Sequence, residues 1–105
     1  MKPMNPELLS SIISAVTEKA YRNYHDWLPN DADIASQIRD GIRLARSAFE
    51  EIEPNGSRKA ILAEMKVKVQ KCLAYYRTLP GEAGTWECSA LNIIAGEIER
   101  INSEQ

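Results

Sequence analysis

Arginine side chains recur at helical spacing in the second quarter of the chain. Arg39, Arg43 and Arg46 are four and three residues apart, so they share one face of a helix in this segment. Guanidinium groups in a row suit phosphate or carboxylate ligands, because each presents a planar fork of N–H donors. Arg58 and Lys59 stand where a later helix is expected to begin, and a helix N-terminus attracts anions. These five residues are the candidate ligand-binding set for an anionic small molecule.

Groups that catalyse reactions or bind metals are scarce. The single histidine, His25, precedes Asp26 near a helix end, where the helix dipole and a carboxylate favour a surface imidazolium. Cys72 and Cys88 have no CxxC or HxxxH partner, so they specify neither a zinc site nor a redox pair. The chain contains no GxGxxG, Walker A or GxSxG motif. We therefore expect no catalytic residue, no metal, no cofactor and no enzymatic activity.

A second set of residues is typical of contacts with another protein. Aromatic side chains at helical spacing belong more often to a core or an interface than to a base-stacking platform. The candidate interface residues are Tyr24, Trp27, Lys66, Lys68 and Trp86.

Helices have to position these side chains, because apolar residues recur at steps of three and four along the chain. Ser57 and Thr85 are expected to cap the third and fourth helices, since their hydroxyls can accept a hydrogen bond from a free backbone N–H. Proline and glycine separate the segments. The expected helices lie at about residues 5–28, 31–53, 57–79 and 85–102.

A chain of 105 residues with 44% apolar and 27% charged residues has room for one folded domain, residues 1–105. Short connections favour antiparallel neighbours, and we expect an all-α, up-down bundle of four amphipathic helices. The apolar stripes are narrow and resemble a coiled-coil seam, which leaves open a second architecture in which helical hairpins assemble into an oligomer.

Charge is divided unevenly along the chain. The third helix carries six basic residues against Glu64 alone, whereas the second and fourth helices carry more acidic than basic residues. One interpretation is that the basic helix pairs with its acidic neighbours, and the other is that it forms an anion-binding surface. The formal net charge of -2 makes nucleic acid an unlikely partner.

The apolar runs are too short to cross a bilayer, which takes about 20 residues, and the first residues lack the apolar core of a signal peptide. We therefore expect no membrane contact and a cytoplasmic location.

Several short motifs occur in a recognisable order: Pro29-Asn30-Asp31, Ile38-Arg39, Glu51-Ile52-Glu53-Pro54, Gly56, Arg58 and Leu62-Ala63. In this order, residues 29–77 resemble the phage helical-hairpin proteins that sequester cyclic-nucleotide signals of bacterial immunity. The chain departs from that pattern in the inserted Ser57, in Lys59 at an acidic position, and in lacking the family's Trp-Ala-Asn stretch. The resemblance implies a homo-oligomer that sequesters its ligand without cleavage, with arginines such as Arg39 and Arg58 on the phosphates.

Two functions follow from these observations. The first is a non-enzymatic helical binding protein that acts through protein–protein interaction or self-assembly, for instance as an inhibitor of a host system. The alternative is a phage anti-defence protein that sequesters an anionic cyclic nucleotide. Only the cyclic-nucleotide function requires the candidate ligand-binding residues to bind an anion. These residues, Arg39, Arg43, Arg46, Arg58 and Lys59, therefore discriminate between the two functions.

Overall fold

The computed structural model describes residues 6–25, 32–53 and 57–104, and these residues fold into four α-helices. No strand occurs within these ranges. The expected all-α class is therefore confirmed. The helix ends that fall within these ranges lie close to the expected ones, and the expected helical residues 5, 26–28 and 31 lie outside the described residues. The helices are α1 (Pro6–His25), α2 (Ala32–Glu50), α3 (Arg58–Arg77) and α4 (Thr85–Ser103).

Successive helices run antiparallel. Lys66 of α3 contacts Glu99 of α4, whereas Tyr76, further along α3, lies beside Asn92, closer to the start of α4. The same reversed order relates α1 to α4 and α2 to α3. The helices therefore form the expected up-down bundle, in which α2 and α4 point the same way.

All three other helices pack against α4. The side chains of Leu91 and Ile94 on α4 are 0% exposed, and they meet residues such as Phe49 of α2 and Met65 of α3 in one core. Burial of this apolar surface is the main source of the bundle's stability.

The buried faces of α1 and α3 are broader than the expected apolar stripes. Ile12 of α1 and Leu62 and Leu73 of α3 lie outside the stripes of steps three and four, yet each is at most 4% exposed. Such a face has the width needed for a globular bundle rather than for a coiled-coil seam. Assembly of helical hairpins into an oligomer stays a prediction.

The α2 and α4 backbones approach closely at Gly41. A Cβ atom at Gly41 would lie 2.9 Å from both the Cα and the carbonyl oxygen of Glu87. Only glycine leaves room for this approach, because real Cβ atoms do not come so near to backbone atoms. The crossing fixes α2 against the central helix.

The N-cap of α3 is the expected residue, and the N-cap of α4 is not. The Ser57 hydroxyl accepts a hydrogen bond from the Ala60 N–H at 3.3 Å. At α4 the N-cap is Gly84, with φ +84°, while the Thr85 hydroxyl donates to the Glu82 carbonyl at 2.7 Å. Thr85 therefore does not cap α4, because its hydroxyl is used in the preceding turn.

Among the described helices, none has the length and apolar character required to cross a membrane.

Candidate protein-binding groove

The three arginines expected to form a row lie on the exposed side of α2. Arg46 Nε is 3.4 Å from Glu50 Oε1, one turn further along the same helix. Arg39 and Arg43 are exposed and form no ion pair within the described residues. The expected spacing on one face is thus present, but one of the three guanidinium groups already has a carboxylate partner.

Arg39 and Arg58 are far apart in the folded chain. Glu51 contacts Lys68, which fixes the register of α2 against the antiparallel α3. From that contact Arg39 and Arg58 lie in opposite directions, so they are separated by about 30 Å along the bundle at 1.5 Å per residue. One chain therefore does not bring Arg39 and Arg58 together, and a ligand that both contact would have to lie between chains. The expected ligand-binding role of the five residues stays a prediction, because helix register, unlike spacing within a helix, is set by tertiary structure.

The expected interface residue Tyr24 belongs to the core. Its side chain is 1% exposed, and its hydroxyl lies 2.6 Å from the Ser89 hydroxyl. A folded chain cannot offer this ring to a partner, and we correct the assignment. Trp27 and the side chain of His25 lie outside the described part of the chain. Trp86 is half-buried and packs against the core at the start of α4.

The basic side of α3 is partly neutralised. Lys66 Nζ is 2.7 Å from Glu99 Oε1 on α4, and Lys68 Nζ is 3.7 Å from Glu51 Oε2 beyond α2. Both expected interface lysines therefore pair with an acidic neighbour. The other four basic residues of α3 are exposed and form no ion pair within residues 6–25, 32–53 and 57–104. They are Arg58, Lys59, Lys71 and Arg77.

An open groove runs between α2 and α3, with a volume of about 460 Å³. Tyr75 forms part of its wall and is 57% exposed, and it meets the neighbouring Tyr76 edge to face at a centroid distance of 5.1 Å. Apolar groups form most of the floor. We call this site the α2–α3 groove, and its lining residues are Leu44, Ala48, Glu51, Lys68, Lys71, Cys72, Tyr75 and Tyr76.

Sequence reasoning included Lys68 and missed the rest of the groove. The available signal was Tyr75, a large aromatic residue on α3 that does not belong to its buried stripe. It is more than half exposed in the structure. Apolar residues on both sides of a helix indicate that one side packs in the core and the other is left open.

The ionisable groups on the floor of the groove are neutral near pH 7. Burial raises the pKa of the Cys72 thiol, and the nearby charge of Lys68 opposes this to a smaller extent. Burial, followed by the charge of Glu87, raises the pKa of Tyr76 to about 12. The charge of the groove therefore comes from Lys68, Lys71 and Glu51 at its edges.

Two carboxylates are buried elsewhere, both on α4. Glu97 accepts hydrogen bonds from Arg100 Nε at 3.0 and 3.1 Å, and these bonds lower the pKa of Glu97. Glu87 Oε1 is buried and has no hydrogen-bond partner among the described residues. Glu87 lies in the first turn of α4, where the helix dipole favours a negative charge. Neither carboxylate lines the α2–α3 groove.

The described residues contain no group of three or more His, Cys, Asp or Glu side chains placed to hold a metal ion. Comparison of the chain with protein-family models, with curated proteins and with solved structures gave no match.

Proposed function

We propose that this protein is a non-enzymatic binding protein that acts through protein–protein contact on the exposed side of α3. The observation that carries the proposal is that Val67 and Tyr75, 54% and 57% exposed, lie on the same helix as four basic side chains without ion pairs in the described residues. Exposed apolar surface beside polar residues is characteristic of interaction sites, and tyrosine is enriched in protein interfaces.

The chemistry of α3 supports binding rather than catalysis. A thiol acts as a nucleophile in its thiolate form, and burial keeps the Cys72 thiol protonated at neutral pH. Lys68 and Lys71, which line the α2–α3 groove with Cys72, place positive charge at the edge of its apolar floor, as a binding site would require. Two free cysteines, Cys72 and Cys88, also agree with action in the reducing cytoplasm.

Sequestration of an anionic cyclic nucleotide is the competing proposal. With Arg39 and Arg58 about 30 Å apart in one chain by helix geometry, such a site requires residues from two or more chains. Native mass spectrometry of the freshly purified protein separates the proposals. A defined oligomer that releases an intact nucleotide would favour sequestration, and a species without a nucleotide would favour the protein-binding proposal.

The direct test is differential capture from cells that express the protein. The full chain and two matched double variants serve as bait: Lys71→Glu with Tyr75→Glu on α3, and Lys19→Glu with Tyr21→Glu on α1. Each pair changes one exposed lysine and one exposed tyrosine. We expect quantitative mass spectrometry to show partners lost with the α3 variant and kept with the α1 variant. Equal capture by both, or loss with the α1 variant alone, would refute the proposal.

A further inference from the structure

We infer that the α2–α3 groove binds an amphipathic helix of a partner protein that carries acidic residues beside its apolar face, and that Glu51 competes with that helix for Lys68. The inference rests on the proposed function and assigns to it a site and a class of ligand. It follows from three features of the groove: its shape, its charge and the ion pair across its mouth.

The shape of the groove fits a helix. Leu44 and Ala48 lie one turn apart on α2, and Glu51 follows directly after the end of that helix, while Lys68 to Tyr75 span two turns of α3. The two turns of α3 give the groove a length of about 10 Å. A third helix packs between two others by inserting side chains spaced three or four residues apart. The apolar floor can therefore hold two successive apolar side chains of a partner helix.

The charge of the groove selects an acidic partner. Lys71 is exposed and forms no ion pair in the described part of the chain, and α3 as a whole has six basic residues and one acidic residue. A second copy of α3 would bring the same lysines together and be repelled. A nucleic acid would meet the lysines, but its phosphates would leave the apolar floor unfilled. An acidic amphipathic helix would bury its apolar face against the floor of the groove and pair its carboxylates with the lysines at the edge.

Glu51 occupies the place that a partner carboxylate would take. Its Oε2 lies 3.7 Å from Lys68 Nζ, which is longer than the 2.7–2.9 Å typical of a charge-assisted hydrogen bond. The Glu51 side chain is 74% exposed, while that of Lys68 is 28% exposed. Lys68 is therefore held in place along the groove, and its weak partner can turn into solvent when another carboxylate arrives.

The test measures the fluorescence anisotropy of a labelled helical peptide with leucines at positions i, i+4 and i+7 and glutamates beside them. The full chain and its variants are titrated into it. We expect Glu51→Gln to tighten binding about twofold to fivefold, the range of an exposed ion pair. Lys68→Gln and Lys71→Gln should each weaken binding by a similar factor and reduce its salt dependence.

Two residues outside the groove provide matched controls. Glu50 pairs with Arg46 and faces the α1 side of α2, so Glu50→Gln makes the same charge change outside the groove. Lys19 is exposed on α1 and does not line the groove, so Lys19→Gln does the same for the lysines. Both variants should bind the peptide as the unchanged protein does.

Several outcomes would overturn the inference. One is equal binding of a peptide with glutamine in place of each glutamate, and another is absence of binding by the acidic peptide. A third is an effect of Glu51→Gln no larger than that of Glu50→Gln. Self-association strengthened by Glu51→Gln would make a second copy the occupant. If the peptide fails while the α3 variant still loses its captured partners, the acidic helix fails as the occupant of the groove and the proposed function stands.

Discussion

Helix α2 has two very different neighbours. Towards α4 the backbones meet so closely that a Cβ at Gly41 would lie 2.9 Å from Glu87 backbone atoms. Towards α3 the same helix leaves an open groove of about 460 Å³. The α2–α4 contact is close-packed, like a protein interior. The α2–α3 groove leaves apolar groups exposed to solvent. The comparison separates residues needed for folding from residues available for binding.

Tyr75 and Tyr76 give the largest expected contrast between these roles. Tyr76→Ala should lower the free energy of unfolding by about 3 kcal/mol or more, because its ring is 9% exposed and its removal leaves a cavity. Tyr75→Ala should lower it by less than about 1 kcal/mol, since most of that ring is already in water. Urea denaturation followed by circular dichroism measures both. Equal losses would mean that the wall of the groove is part of the core.

The close side of α2 is tested with two glycines inside helices. Gly41→Ala should destabilise the protein by about 2 kcal/mol, because the added Cβ meets the Glu87 backbone and forces α2 and α4 apart. Gly96→Ala is the control: a Cβ there has nothing within 4 Å, so alanine should stabilise the protein by about 0.5–1 kcal/mol through helix propensity. If the midpoints of thermal unfolding of the Gly41→Ala and Gly96→Ala variants shifted in the same direction, the close approach of α2 and α4 at Gly41 would be contradicted.

The corrected position of Tyr24 predicts a smaller effect. Tyr24→Phe removes the hydroxyl that lies 2.6 Å from Ser89 and should cost about 1 kcal/mol of stability, with no loss of captured partners. Tyr21→Phe, on an exposed ring of the same helix, should change stability by less than about 0.5 kcal/mol. If Tyr24→Phe left stability unchanged but abolished capture of a partner, Tyr24 would have to be assigned to the interface after all.

The elements of the fold could be predicted because their signals are local. Steps of three and four give the helices, and the Ser57 cap depends only on its own turn. The N-cap of α4 could not be predicted in this way, since Gly84 has a positive φ and lies against the last turns of α3: a Cβ there would lie 2.8 Å from the Tyr76 carbonyl oxygen. The site depends even more on tertiary structure. The spacing of Arg39, Arg43 and Arg46 was right, but the distance to Arg58 and the gap beside Tyr75 depend on how α2 and α3 are placed.

The smallest expected effect concerns the closed side of the molecule and its dependence on pH. Hydrogen bonds from Arg100 lower the pKa of Glu97 in the folded state, so this carboxylate stabilises the fold fully above its unfolded pKa of about 4.3. That contribution, less than about 1 kcal/mol because Arg100 is exposed, is lost as the pH falls through the lower folded pKa. Glu97→Gln should therefore flatten the fall in unfolding free energy below about pH 4.5. A pH slope of the Glu97→Gln variant identical to that of the unchanged protein would contradict this role of Glu97.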